Sequence, residues 1–243
     1  MSKVLVATEK PFAKVAVDGI REVVEKAGME LALLEKYTQK EQLLEAVADA
    51  DALIVRSDIV DAAVLDAAKQ LKIVVRAGAG YDNLDLAACT EHGVVAMNTP
   101  GQNSNAVAEL ALGLMVYAVR NFYNGTSGTE LMGKTLGIHA FGNVGRNVAR
   151  IAKGFGLKVI AFDAYCPDEA MLKEDVTPVH SVEELYTQSD IVSLHIPATP
   201  ETKQSINHAL LSRMPKGALL VNTARKEVIN EAELIMLMQE RSD

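Results

Sequence analysis

One stretch constrains this chain more than any other. It reads Leu136-Gly-Ile-His-Ala-Phe-Gly-Asn-Val-Gly-Arg146, runs on through a helical pattern, and returns as Lys158-Val-Ile-Ala-Phe-Asp163. The order is strand, glycine turn, helix, strand, acid, which makes a βαβ unit of two parallel strands. The first turn of such a helix has backbone N–H groups without intrahelical acceptors, at the positive end of the helix dipole. That order therefore predicts a dinucleotide site, with the pyrophosphate facing those amides. Gly142 lets the backbone approach the pyrophosphate, and Gly145 lets the helix pack on the strand. The amides of Asn143 and Val144 are the expected phosphate contacts. Asp163 stands 18 residues past Gly145, where an acid bonds a ribose 2′-OH. It favours NAD over NADP, because a 2′-phosphate would meet a carboxylate. One position is off pattern: the first glycine of G-x-G-x-x-G is Ala140. Alanine takes negative φ cheaply, whereas positive φ costs on the order of 1 kcal/mol or more. The alternative is a tight turn that holds no ligand.

The rest of the chain keeps the same rhythm. Short β-branched runs at 4–8, 31–34, 52–55, 73–77 and 94–97 form one series. Runs at 135–139, 159–162, 191–195 and 218–222 form a second. Apolar strands on this schedule are parallel and covered by helices on both faces. Leu43, Leu44, Val47 and Ala48 line one face of an intervening helix. Asn98-Thr-Pro-Gly101 marks a boundary, and Asn103-Ser104 is placed to cap a long helix reaching about Phe122. The expectation is an α/β chain of two doubly wound parallel-sheet domains with an active-site cleft between them. The first spans 1–98 and binds substrate in a flavodoxin-like fold. The second spans 99–243 and is a Rossmann domain. The long helix is apolar on more than one face, so it is either buried in its own domain or shared with a second subunit.

Composition narrows the classes. A formal charge of −8 argues against a nucleic-acid or anionic-membrane surface. The stretch 106–119 carries Glu109 and is shorter than the roughly 18 residues a span needs, and no secretory leader is expected. Cys89 and Cys166, without a C-x-x-C, read as reduced thiols of a cytoplasmic protein. Neither a metal-ligand spacing, a P-loop nor a nucleophile elbow is found.

Three further motifs follow strands, and ligands in open α/β sheets sit at the carboxyl ends of strands. Leu220-Val-Asn-Thr-Ala-Arg225 ends in a guanidinium that can grip a carboxylate bidentately and polarise the adjacent carbonyl. Its bland alternative is an arginine capping nearby carbonyls. Arg76-Ala-Gly-Ala-Gly80-Tyr-Asp-Asn83 fails as a second fingerprint and reads as a turn whose bare amides face an anion, or as a plain loop. Arg56-Ser57 binds a carboxylate or phosphate, or is simply exposed. Hydride transfer needs a proton acceptor. His195 ends a strand and is either that base, a cofactor-pocket residue, or a backbone-bonding group. His139 is expected to be packed, and His92, His180 and His208 exposed.

With these residues in view, the chain resembles the D-isomer-specific 2-hydroxyacid dehydrogenase family, most closely its short-form D-3-phosphoglycerate dehydrogenase branch. The resemblance rests on 76–85, Met97-Asn-Thr-Pro100, Asn105-Ala-Val-Ala-Glu-Leu110, 133–145, Ser193-Leu-His-Ile-Pro197 and 214–225, in family order. It implies NAD-dependent oxidation of 3-phospho-D-glycerate to 3-phosphohydroxypyruvate, the entry step to serine. It implies Arg225 as the catalytic arginine, with Gly78, Ala79 and Gly80 presenting amides to the carboxylate and Arg56 and Ser57 nearby. It also implies Ile196, Pro197, Thr223 and Ala224 against the cofactor, and a homodimer through the helix at 104–122. Two departures stand out. Lys226 occupies the family's glycine position after the arginine. The sequence stops at Asp243, short of the family's catalytic glutamate and acid–base segment, so the chain is expected to be an incomplete version of a longer enzyme. Other 2-hydroxyacids (glyoxylate, D-lactate, erythronate phosphate) and a non-catalytic NAD-binding scaffold are the competing functions.

Overall fold

A computed structural model describes residues 1–241, and they divide into two compact units meeting at Gln102 and Asn103. Unit 1 alternates strand and helix without exception: β1 (Lys3–Thr8), α1 (Lys14–Lys26), β2 (Glu30–Glu35), α2 (Lys40–Val47), β3 (Ala52–Val55), α3 (Ala62–Ala67), β4 (Ile73–Arg76), α4 (Leu86–Glu91) and β5 (Val95–Asn98). The five strands are parallel in the order β2-β1-β3-β4-β5. Leu5, Leu43, Val47, Leu53, Val64, Leu65 and Val74 fill its core. Leu43 and Val47 face inward as the helical period requires, but Ala48 is exposed because α2 ends at Val47. Asp61 and Asp85 start α3 and α4 by accepting from the amides of Val64 and Ala88, three residues on.

Unit 2 opens with α5 (Ser104–Val119), then β6 (Thr135–His139), α6 (Asn143–Gly154), β7 (Lys158–Phe162), α7 (Asp168–Leu172), β8 (Thr177–Pro178), α8 (Val182–Gln188), β9 (Ile191–Leu194), α9 (His208–Leu211), β10 (Leu219–Asn222) and α10 (Glu231–Glu240). Its parallel sheet runs β10-β9-β6-β7-β8. The strand order therefore reverses beside β6, and crevices at such reversals are where open α/β sheets take ligands. β8 escapes sequence reading because two residues carry no periodicity.

The long helix stops earlier than its apolar run suggests. α5 ends at Val119, and Asn121, Phe122 and Tyr123 all take positive φ of 51–55°. Asn103 sits at the N-cap position of α5 without a side-chain cap bond, contrary to expectation. Ala108, Ala111, Leu112, Met115 and Val119 pack into the core, where α5 lies against α6 and β10, whereas Leu110, Leu114 and Tyr117 face outward. Among the described residues no helix is long and apolar enough to cross a membrane.

Candidate functional site

The fingerprint turn is held from several sides. Ala140 donates its amide to the Phe162 carbonyl at 2.9 Å and takes φ +83°. The negative φ that would suit alanine is thus not adopted, and the residue sits in the region that favours glycine. Gly145 is needed for contact: a Cβ there would lie 2.3 Å from the Ala140 carbonyl oxygen and 3.1 Å from Ile138 Cγ2. Gly142, the N-cap of α6, has open space where its Cβ would be. The amides of Asn143 and Val144 belong to the first turn of α6 and have no acceptor within the helix.

Asp163 does more than sequence reading assigns to it. Its Oδ2 accepts from the Phe141 amide at 2.7 Å, and its Oδ1 from Tyr165 and Cys166 at 2.8 and 3.0 Å. The acid therefore ties the turn after β6 to the turn after β7. Oδ1 has both acceptor sites filled, whereas Oδ2 keeps one free for a ribose hydroxyl. Arg146 braces the same region: its guanidinium stacks 4.8 Å over the Phe141 ring, pairs with Glu174, and reaches Cys166 Sγ at 3.4 Å.

On the neighbouring strands, His139 is buried with Nδ1 3.3 Å from the Tyr186 hydroxyl, and its ring meets Phe162 and Tyr186 edge-on. His195 is partly buried, with Nε2 3.0 Å from Ser193 Oγ. Burial pushes both imidazoles down to about 4; the His139 ring adds to the shift at His195, while the Asp163 carboxylate opposes the shift at His139. A lowered pKa makes the His195 ring a weaker proton acceptor. His208, expected to be exposed, is partly buried and bonds Glu240 and Ser212.

β10 ends at Asn222, three residues before Arg225. Asn222 shapes the turn between them: its Oδ1 accepts from the Ala224 amide at 2.9 Å and its Nδ2 donates to the Arg225 carbonyl at 2.9 Å. Sequence reading missed this asparagine, although a short polar side chain ending a strand is the usual author of such turns. Thr223 Oγ1, on the same turn, is buried with no partner among the described residues. An orphaned hydroxyl of this kind asks for a ligand. Together with the open space over Gly142 and the first-turn amides of α6, it fits the dinucleotide that the fingerprint implies. Lys226 is exposed beside Lys203, Asn230 and Glu231 around a cavity of about 530 Å³.

In unit 1, Arg56 and Ser57 follow β3 with exposed side chains. The glycine loop after β4 differs from expectation at one amide. Gly78 donates to the Arg76 carbonyl at 2.8 Å, so it is not free to face an anion. The amides of Ala79 and Gly80 have no acceptor among the described residues. The loop is fixed through its carbonyls instead: Gly78 accepts from the Thr99 amide at 2.9 Å and Ala79 from Asn98 Nδ2 at 2.7 Å. The Arg76 side chain crosses the space a Cβ at Gly78 would take.

Comparison with known proteins bears on this arrangement. Residues 92–242 match the model of the D-isomer specific 2-hydroxyacid dehydrogenase NAD binding domain. The chain is 40% identical over 215 residues to a D-3-phosphoglycerate dehydrogenase of Methanocaldococcus jannaschii, covering 83% of this chain but 41% of that one. It is 38% identical over 219 residues to a hydroxypyruvate reductase of Thermotoga maritima, covering 84% of this chain and 70% of that one. Among solved structures, an NAD+-bound 3-phosphoglycerate dehydrogenase of Entamoeba histolytica superposes with a TM-score of 0.93 at 47% identity. That superposition covers 99% of this chain and 78% of the other.

Proposed function

The chain belongs to the D-isomer-specific 2-hydroxyacid dehydrogenase family and carries its NAD-binding domain, and on that premise we propose that it oxidises 3-phospho-D-glycerate to 3-phosphohydroxypyruvate. The observation that most supports this substrate is the 47% identity to the Entamoeba histolytica enzyme across nearly the whole chain. NAD, when bound, would supply the acceptor for the hydride leaving the substrate's C2, and the C2 hydroxyl proton leaves to water or to the acid–base group that the family resemblance implies.

The chain's own residues have the following roles. Asn143 and Val144 offer amides to the pyrophosphate, with Gly142 giving the close approach and Gly145 letting α6 pack on β6. Asp163 accepts from the ribose. Thr223 gains a partner for its hydroxyl, and His195, Ile196, Pro197 and Ala224 line the cofactor. Arg225 holds the substrate carboxylate and C2 oxygen, drawing charge from that oxygen as it becomes a carbonyl. Ala79 and Gly80 direct amides at the carboxylate, and Arg56 and Ser57 take the remaining anionic group. Two free thiols, Cys89 and Cys166, support a reducing compartment such as the cytoplasm. Homodimerisation through α5 is supported by Leu110, Leu114 and Tyr117, which recur at helical spacing and are 39–56% exposed.

The likeness to the Thermotoga maritima hydroxypyruvate reductase favours a second reading, in which the substrate lacks phosphate. Incubating the protein with NAD and a panel of 2-hydroxyacids, followed by NADH absorbance, separates the two. The first reading expects 3-phospho-D-glycerate to be preferred over glycerate and D-lactate by at least tenfold in kcat/KM, and Arg225→Ala to abolish turnover. Equal rates with glycerate would refute the phosphate specificity. Undiminished turnover in Arg225→Ala would refute the role given to that arginine.

A further inference from the structure

Four loops of unit 1 converge on one buried carboxylate. Asp58 is 5% exposed. Its Oδ1 accepts from the Glu9 amide at 2.8 Å and from the Tyr37 hydroxyl at 2.7 Å. Its Oδ2 accepts from the amides of Arg56 and Ser57, each at 3.3 Å. Its backbone carbonyl accepts from Asn83 Nδ2 at 2.7 Å, and Arg76 Nε donates to the Arg56 carbonyl at 2.9 Å. These groups come from the segments after β1, β2, β3 and β4 in turn, so one residue links the ligand-facing edge of the sheet.

The chemistry of the group matters here. A buried charge is costly unless hydrogen bonds satisfy it, and four neutral donors satisfy this one. An ionised carboxylate is acceptor-only and can serve all four at once. An asparagine cannot, because its NH2 would face donors at one of the two positions. Tyr37 is itself buried, and burial with the adjacent carboxylate pushes its hydroxyl up, so it stays protonated and donating. The side chains that follow β3 are left pointing outward, while their backbone amides point inward to Asp58.

We propose that Asp58 is the positioning residue of the substrate-anion loop: it fixes the backbone of Arg56 and Ser57 so that their side chains meet the anionic substrate. It does not touch the substrate itself. This rests on the reading of Arg56 and Ser57 given above.

The test uses Asp58→Asn in the whole protein with NAD present. Amide hydrogen exchange at Arg56 and Ser57 should quicken. Affinity for 3-phospho-D-glycerate, measured by calorimetry, should fall roughly tenfold, about 1.4 kcal/mol. NAD affinity should not change. A residue that only stabilises the fold would lower Tm and leave the substrate Kd alone, and that result would overturn the proposal. Tyr37→Phe removes one donor and keeps the carboxylate, so it should weaken substrate binding about two- to threefold. It carries the test if Asp58→Asn fails to fold, and unchanged affinity would then count against the proposal. Arg56→Ala separates the two levels. If it binds the acid as well as the parent does, or if the parent does not bind it, the substrate-loop reading fails and this inference with it. If Arg56→Ala weakens binding and Asp58→Asn does not, only the positioning role is lost.

Discussion

Replacing Ala140 with glycine should cost little or no stability, although alanine-to-glycine changes in ordered backbone normally do. Ala140 holds φ at +83°. An L-residue in that region is strained by about 1–2 kcal/mol, and glycine is not. Against that relief stands the larger entropy of glycine in the unfolded chain, about 0.4–1 kcal/mol. The lost methyl is only partly buried, which costs about half of a full methylene, roughly 0.4 kcal/mol. The terms leave Ala140→Gly between about 0.4 kcal/mol less stable and about 1.2 kcal/mol more stable. Urea unfolding reads this as a midpoint close to the parent's or raised, at constant m-value. NAD affinity should hold or tighten up to about threefold, because the turn after β6 no longer works against its own backbone preference. Ala140→Val should move the other way by more than 1 kcal/mol, since a branched Cβ suffers more at positive φ. A loss of 1 kcal/mol or more in Ala140→Gly, or a clear fall in NAD affinity, would refute the reasoning.

Other outcomes follow from the same geometry. Gly145→Ala should cost about 1–3 kcal/mol and abolish NAD binding in calorimetry, because its methyl would meet the Ala140 carbonyl at 2.3 Å. Burial lowers His139 and His195 from the usual 6.5 to about 4 in the fold, so the unfolded chain binds more protons between those values. Stability should therefore fall as pH drops from about 6.5 towards 4, by up to about 1.4 kcal/mol per pH unit for each ring. His139→Leu should flatten that slope in urea melts at about pH 7, 5.5 and 4.5, which span most of the window, and an unaltered slope would exclude the ring as its source. Leu114→Asp on the outward face of α5 should convert a sedimenting dimer to monomer, and a parent protein that sediments as a monomer would remove the dimer proposal.

Much of the architecture was legible because parallel strands covered on both faces advertise themselves as apolar runs at regular spacing. The fingerprint was legible for the same reason: Gly142, Gly145 and Asp163 carry their geometry in their spacing. What escaped was what side chains do to backbone. Nothing in the spacing of Arg56-Ser57-Asp58 says that the third residue turns inward to bind the amides of the first two. Nor does it show that Gly78 spends its amide on Arg76. The apolar Phe122 extends the helical pattern past the end of α5, because hydrophobicity does not report the positive φ of 51–55° at residues 121–123. The spacing marks Asp163 only as a ribose acid, because its bonds to Phe141, Tyr165 and Cys166 come from turns whose shape no periodicity encodes.

That acid is also where the central claim is most directly tested. If the turn at Gly142–Gly145 with Asp163 forms an NAD site, calorimetric titration should show NAD binding and NADP binding at least tenfold more weakly, because a 2′-phosphate would meet the Asp163 carboxylate. Asp163→Ser should narrow that gap. NADP binding as tightly as NAD, or a preference that survives in Asp163→Ser, would contradict the account.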